Sequence, residues 1–259
     1  AVGHTAGLDV TFGDRGTYIG ASAGANVTSA NNNTFIGAES GNATTTGADN
    51  VAVGFGSLDT NITSASNTAI GTESLYHSTA AENVAIGYRA GYGVNGQTNS
   101  ATQNTFVGFE AGTTLTSAIG YRSLKSNTVG TSNTALGYLS LQANVQGTGS
   151  VGIGAHALGQ SNPATASNMN NTAVGTSAGQ EITTGTNNVI IGYQTADEMT
   201  TGSGNTIIGY DANPSSNSAA NQTVIGNGAT GQGDNIVVIG NSSITSINPG
   251  NATVELGTT

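Results

Sequence analysis

The sequence predicts an all-β chain wound as a parallel β-solenoid of about fifteen coils, with a second apolar face that another chain or layer must cover. Three observations carry this expectation: a short motif that returns along almost the whole chain, the period-2 alternation inside that motif, and an apolar residue on both faces of each predicted strand.

The motif has the order Asn, Thr or Val, a small or aromatic residue, an aliphatic residue, Gly, any two residues, Ser or Ala, then Gly or Leu. Its central glycines are Gly3, Gly20, Gly37, Gly54, Gly71, Gly87, Gly108, Gly120, Gly137, Gly154, Gly175, Gly192, Gly209, Gly226 and Gly240. Nine of the fourteen intervals are 17 residues and the others are 16, 21, 12, 21 and 14, so the motif is constant while its connection varies. A solenoid with all its loops on one part of the coil behaves in this way. Residues 1–240 form the repeat region, and residues 241–259 form a C-terminal cap or a junction to a further domain. That last segment breaks the repeat but keeps an apolar alternation through Ile244, Ile247, Val254 and Leu256.

Each motif position has a physical reading. The residue before the glycine is aliphatic throughout: Ile19, Ile36, Val53, Ile70, Ile86, Val107, Ile119, Leu136, Ile153, Val174, Ile191, Ile208, Ile225 and Ile239. Alternation puts it on one strand face with the Thr or Val two positions earlier, and we assign that face to the coil interior as the core. The intervening residue (Ala52, Ala69, Ala85, Ala135 and Ala173 against Phe35, Phe106, Ile190 and Ile207) then makes a second apolar face, which another chain or layer must cover. Glycine permits φ above zero or close backbone approach. The opening asparagines, Asn33, Asn50, Asn67, Asn83, Asn104, Asn133, Asn171, Asn188 and Asn205, are expected to stack at one corner, tolerate a left-handed backbone and hydrogen-bond along the stack. The connections, such as 41–49 and 161–170, are rich in Ser, Thr, Asn and Gly and read as turns.

Composition narrows the function. Only 7% of residues are charged, and 14 acidic against four basic residues (Arg15, Arg89, Arg122, Lys125) give a net charge of −10. A chain so poor in cations has no footprint for nucleic acid or for an anionic membrane surface. No apolar run approaches the ~18 residues that span a bilayer, so membrane insertion is not expected. The absence of Cys removes disulfides and thiol chemistry. The chain opens at Ala1 with neither an initiating Met nor a signal segment, and reads as an excerpt or a processed product.

Units such as residues 67–75 (NTAIGTESL), 83–91 (NVAIGYRAG), 133–141 (NTALGYLSL) and 171–179 (NTAVGTSAG) resemble the YadA-like head repeats of trimeric autotransporter adhesins. They are similar as well to the repeat tracts of phage tail fibres and surface proteins that end in an endosialidase-type intramolecular chaperone. The likeness recurs in register over nearly the whole chain. It implies the left-handed parallel β-roll and the homotrimer around a threefold axis, which spacing alone does not give. It also implies an extracellular structural or adhesive fibre segment, in a virion or a cell-surface appendage, with a cell-surface glycan or protein receptor as a partner. The family's usual repeat is shorter, and no coiled-coil stalk follows here.

Residues of chemical interest are few. His4, His77 and His156 lie at unlike places in their repeats and assemble neither a catalytic triad nor a metal site. Gly91, Gly93 and Gly96 match GxGxxG without the strand and helix that would give the match meaning. Asp197 and Glu198 are the one adjacent acidic pair, with no Ca²⁺-loop pattern around them. No enzyme activity, cofactor or metal is expected. The column just after the glycine, Phe55, Tyr88, Phe109, Tyr121, Tyr138, Tyr193 and Tyr210, is the candidate for surface contact, either gripping a ligand or covering the next coil. Two alternatives stand beside the fibre. An ice-binding solenoid needs an exposed Thr column, which the interior assignment of Thr counts against, and a polysaccharide-cleaving fibre needs a cleft with convergent carboxylates.

Overall fold

The computed structural model describes residues 1–12, 15–93, 102–112 and 116–246. Among them every regular element is a strand: β1 (Thr17–Ile19), β2 (Thr34–Ile36), β3 (Val51–Val53), β4 (Thr68–Ile70), β5 (Val84–Ile86), β6 (Thr105–Val107), β7 (Ser117–Ile119), β8 (Thr134–Leu136), β9 (Gly147–Thr148), β10 (Val151–Ile153), β11 (Ser167–Asn168), β12 (Thr172–Val174), β13 (Val189–Ile191), β14 (Thr206–Ile208), β15 (Thr223–Ile225) and β16 (Val237–Ile239). Fourteen of these form one parallel sheet in chain order, and β9 pairs with β11 outside it. The chain is a parallel-strand β-solenoid.

Register holds across unequal connections. Ile86 pairs with Val107 across a 21-residue step, and Val107 with Ile119 across a 12-residue step. The motif glycine fixes this. It sits at a φ of +132° in Gly37, and a β-carbon there would collide with the carbonyl of Gly54 in the next coil. Both the conformation and the closeness of the neighbouring backbone exclude a side chain.

The assignment of inside and outside is reversed relative to the sequence expectation. The middle residue of each strand faces the interior: Phe35, Ala52, Ala69, Ala85, Phe106, Ala118, Ala173, Ile190, Ile207 and Val224 are all fully buried. The residues before the glycine face outward. Ile19, Ile70, Ile86, Ile119, Leu136, Ile191, Ile225 and Ile239 are each between 37% and 52% exposed. Ile36, Val53, Val107, Ile153, Val174 and Ile208 are half-buried, and none of the column is core. Alternation shows that neighbouring side chains point opposite ways but not which way is in. Volume decides it. The interior is narrow enough that its second column, four residues after the glycine, carries Leu58, Leu75, Leu124, Leu141 and Leu158 opposite small middle residues, and Gly41 and Gly112 opposite Phe35 and Phe106. An unbroken column of Ile would not fit such a space.

The asparagine corner holds in one respect and shifts in another. The Asn50 amide donates to Asn33 Oδ1 at 2.9 Å, and the pattern repeats from Asn67 to Asn50, Asn83 to Asn67 and Asn104 to Asn83 at 3.0 Å. A second run passes from Asn133 through Ser150, Asn171, Asn188 and Asn205 to Gln222. The left-handed residue, however, is the one before the ladder position, at Asn32, Asp49, Ser66, Glu82 and Asn187. A buried ladder amide in ordinary extended geometry keeps its side chain pointing inward, where it satisfies the backbone of the next coil.

Candidate functional site

The column after the glycine is exposed, and part of it is continuous. Tyr88, Phe109, Tyr121 and Tyr138 stack in succession with ring centroids 5.0, 5.3 and 5.2 Å apart and interplanar angles of 22°, 15° and 13°. His156 meets the Tyr138 ring edge-on. Tyr193 and Tyr210 form a separate stacked pair, and Phe55 has no ring contact among the described residues. Strands one above another in exact register bring like side chains to the spacing at which rings stack. Because the faces cover one another, the ladder presents mostly ring edges to solvent, which suits a column that stiffens the coil better than a platform for a ligand.

A charged column runs alongside, two residues after the glycine. Read coil by coil it alternates in sign: Glu73, Arg89, Glu110, Arg122. Arg89 Nε donates to Glu73 Oε2 at 2.5 Å, and Arg122 Nε and Lys125 Nζ both reach Glu110 Oε2, at 2.9 and 2.7 Å. Arg89 lies 5.2 Å from the centroid of Tyr88 and 4.9 Å from that of Tyr92, within cation–π range. The hydrogen bond to Glu73 holds the Arg89 guanidinium above its usual range. Burial pushes the Glu110 carboxyl upward, but the hydrogen bonds and charges of Lys125 and Arg122 outweigh it and hold Glu110 below the usual carboxylate range.

Next to this column Tyr76 stacks on Tyr92 at 5.5 Å, and His77 meets both rings edge-on. Burial raises the Asp59 carboxyl although Tyr76 donates to it, and the Asp59 charge raises the Tyr76 phenol. Three of the chain's four cations therefore gather in one place. Sequence reading found the Tyr88 column by motif position, and the broken period marks the 92–103 and 159–170 connections as places for recognition, but it missed Arg89, Glu110, Arg122 and Lys125. The sign alternation would have revealed the charged column. Tyr92 opens a connection where the period breaks, and that break is its signal.

Other sequence candidates are not brought together. His4 is exposed and apart from His77 and His156. Asp197 is half-buried, which raises its carboxyl, beside an exposed Glu198. Among the described residues no group of three or more His, Asp or Glu is placed to hold a metal ion, and no helix is long and apolar enough to cross a membrane. Gly96, Ile247, Val254 and Leu256 lie outside the described residues, as does part of the 92–103 connection. No protein-family model, curated protein or solved structure matches the chain.

Proposed function

We propose that this chain is a rod segment of an extracellular structural and adhesive fibre, of the kind found in phage tail fibres or bacterial surface filaments, built as a left-handed homotrimer of about fifteen coils. The observation that supports it is the outward aliphatic column from Ile19 to Ile239, together with the Thr or Val that shares its face on every main-sheet strand but β7, half-buried in most and exposed at Thr17, Thr134, Val189 and Val237. Fourteen strands at the ~4.8 Å spacing make a stripe roughly 60 Å long and several hundred Å² in area. Soluble monomers rarely leave so large an apolar surface bare. The repeat sequence, similar to YadA-like heads, suggests three copies around one axis, with each stripe buried against its neighbours. The second apolar face read from the sequence thus keeps its role, although it is the other face. Sedimentation at micromolar concentration tests the proposal. Three times the 25.4 kDa chain mass is expected, and a folded monomer overturns it.

One observation favours a second reading. Thr17, Thr34, Thr68, Thr105, Thr134, Thr172, Thr206 and Thr223 share the outward face, so the ground for setting ice binding aside, an interior Thr column, does not hold. Val51, Val84, Val151, Val189 and Val237 and Ser117 interrupt the column, which weakens its match to a water lattice. Thermal hysteresis by a monomer would favour this reading, and its absence in a trimer the fibre.

A further inference from the structure

We propose that the pocket lined by Arg89, Tyr92, Glu110 and Lys125 binds a sugar residue bearing a carboxylate, as a uronic or sialic acid does. The pocket has a volume of about 270 Å³, enough for one monosaccharide unit. Its donors and acceptors are only partly used. Arg89 commits Nε to Glu73 and lies over the Tyr88 and Tyr92 rings, and its two Nη groups make no hydrogen bond to the described residues. Glu110 receives both Arg122 and Lys125 on Oε2, and among the described residues Oε1 has no hydrogen-bond donor. Free guanidinium donors next to a free carboxylate oxygen match the alternating needs of vicinal hydroxyls, which donate and accept at once. The half-buried Tyr92 ring, stacked on Tyr76 and lying 4.9 Å beneath the Arg89 guanidinium, holds those donors in place and presents its edge to the pocket.

Charge selects the acid over its neutral counterpart. Around the pocket, three cations, Arg89, Arg122 and Lys125, stand against two carboxylates, Glu73 and Glu110, a local excess of one positive charge. The remainder of the chain holds twelve acidic residues and one basic one, 14 − 2 and 4 − 3, and repels anions. The carboxylate of such a saccharide is therefore drawn to Arg89 and Lys125.

The proposal deepens the attachment half of the fibre reading, yet the two fail separately, since a trimer without sugar affinity retains the rod and sinks only the pocket. The test is NMR titration of the full chain with a panel of uronic- and sialic-acid-terminated oligosaccharides and their neutral analogues of equal length. At least one acidic member is expected to bind at least tenfold more tightly than its neutral analogue. Tyr92→Ala and Arg89→Gln should each weaken that binding tenfold or more, while Tyr210→Ala, in a separate ring pair, leaves it unchanged. Lys125→Gln serves if Tyr92→Ala fails to fold, and should narrow the acidic preference to less than threefold. Failure of every acidic member to bind, equal binding of the neutral analogues, or binding that survives both Tyr92→Ala and Arg89→Gln overturns the proposal.

Discussion

A β-carbon on Gly41 would lie 2.5 Å from the ring of Phe35, six residues earlier in the same coil. The interior is filled by such pairs. Ala52 faces Leu58, Ala69 faces Leu75, Ala118 faces Leu124 and Ala135 faces Leu141, all buried. Phe35→Ala should therefore open a cavity and cost about 3–5 kcal/mol. Gly41→Leu alone should overpack the coil and cost about 1–3 kcal/mol. The double variant should recover much of the loss, because leucines at the equivalent positions, Leu58 and Leu75, adopt the same left-handed backbone as Gly41. A double-mutant cycle from thermal melts checks this, and simple additivity would count against the pairing.

The reversed faces separate folding from assembly. Ile190→Asp places a carboxylate in the fully buried interior and should abolish folding. Ile191→Asp and Ile86→Asp act on side chains 38% and 41% exposed, so the coil should keep its β-sheet circular dichroism while the proposed trimer dissociates. Equal loss of secondary structure in Ile190→Asp and Ile191→Asp would refute the separation.

Asn188 occupies the middle of the buried ladder. Its Nδ2 donates to Gly202 O at 2.8 Å and to Asn171 Oδ1 at 3.0 Å, and its Oδ1 accepts from the Asn205 amide at 2.9 Å. Asn188→Ala should orphan these groups at about 1–3 kcal/mol each. Amide exchange at Asn205 should accelerate while that at Asn67, in the other run, stays slow. Unchanged protection of Asn205 would show that the ladder contributes little.

Acid should loosen the charged column. The Glu110 carboxyl is depressed in the fold, so its ion pairs stabilise fully above the unfolded value of about 4.3. That stability is lost as pH falls through the lower folded value, because the unfolded chain takes up the proton first. Exposure of the cations keeps the effect small. Titration of the Glu110 side-chain resonance should give a midpoint below that of Glu in an unstructured peptide, and Arg122→Gln with Lys125→Gln should raise it. A midpoint at or above the peptide value would contradict the pairing.

Much of the fold was legible because the repeat writes it many times. The glycine column places every strand of the main sheet, and the asparagines mark the corner where coils hydrogen-bond. The inner face was not legible from alternation, since Thr34 and Ile36 differ from Phe35 in direction and not in suitability for a core. It becomes legible once residues six apart are compared, because Phe with Gly and Ala with Leu conserve volume within one coil. The pocket was the least accessible. Arg89 and Glu110 are 21 residues apart in sequence and adjacent in space only after the coils are aligned. Only Tyr92 is marked beforehand, by the broken period at which it lies.

The volume pairing also constrains how such a chain can change length. Gly91 sits between two large side chains, where a β-carbon would approach Phe106 at 2.7 Å and Leu75 at 2.8 Å. The coil carrying Ala85 and Gly91 thus acts as an adapter between a leucine-filled stretch and a phenylalanine-filled one. A further alanine–leucine unit would fit beside its own kind without adjustment, as Ala52 with Leu58 lies beside Ala69 with Leu75. The same unit inserted directly ahead of the Phe106 unit would put a leucine where Gly91 leaves room for the ring. Neighbouring volumes therefore decide where a unit can be added without straining the coil.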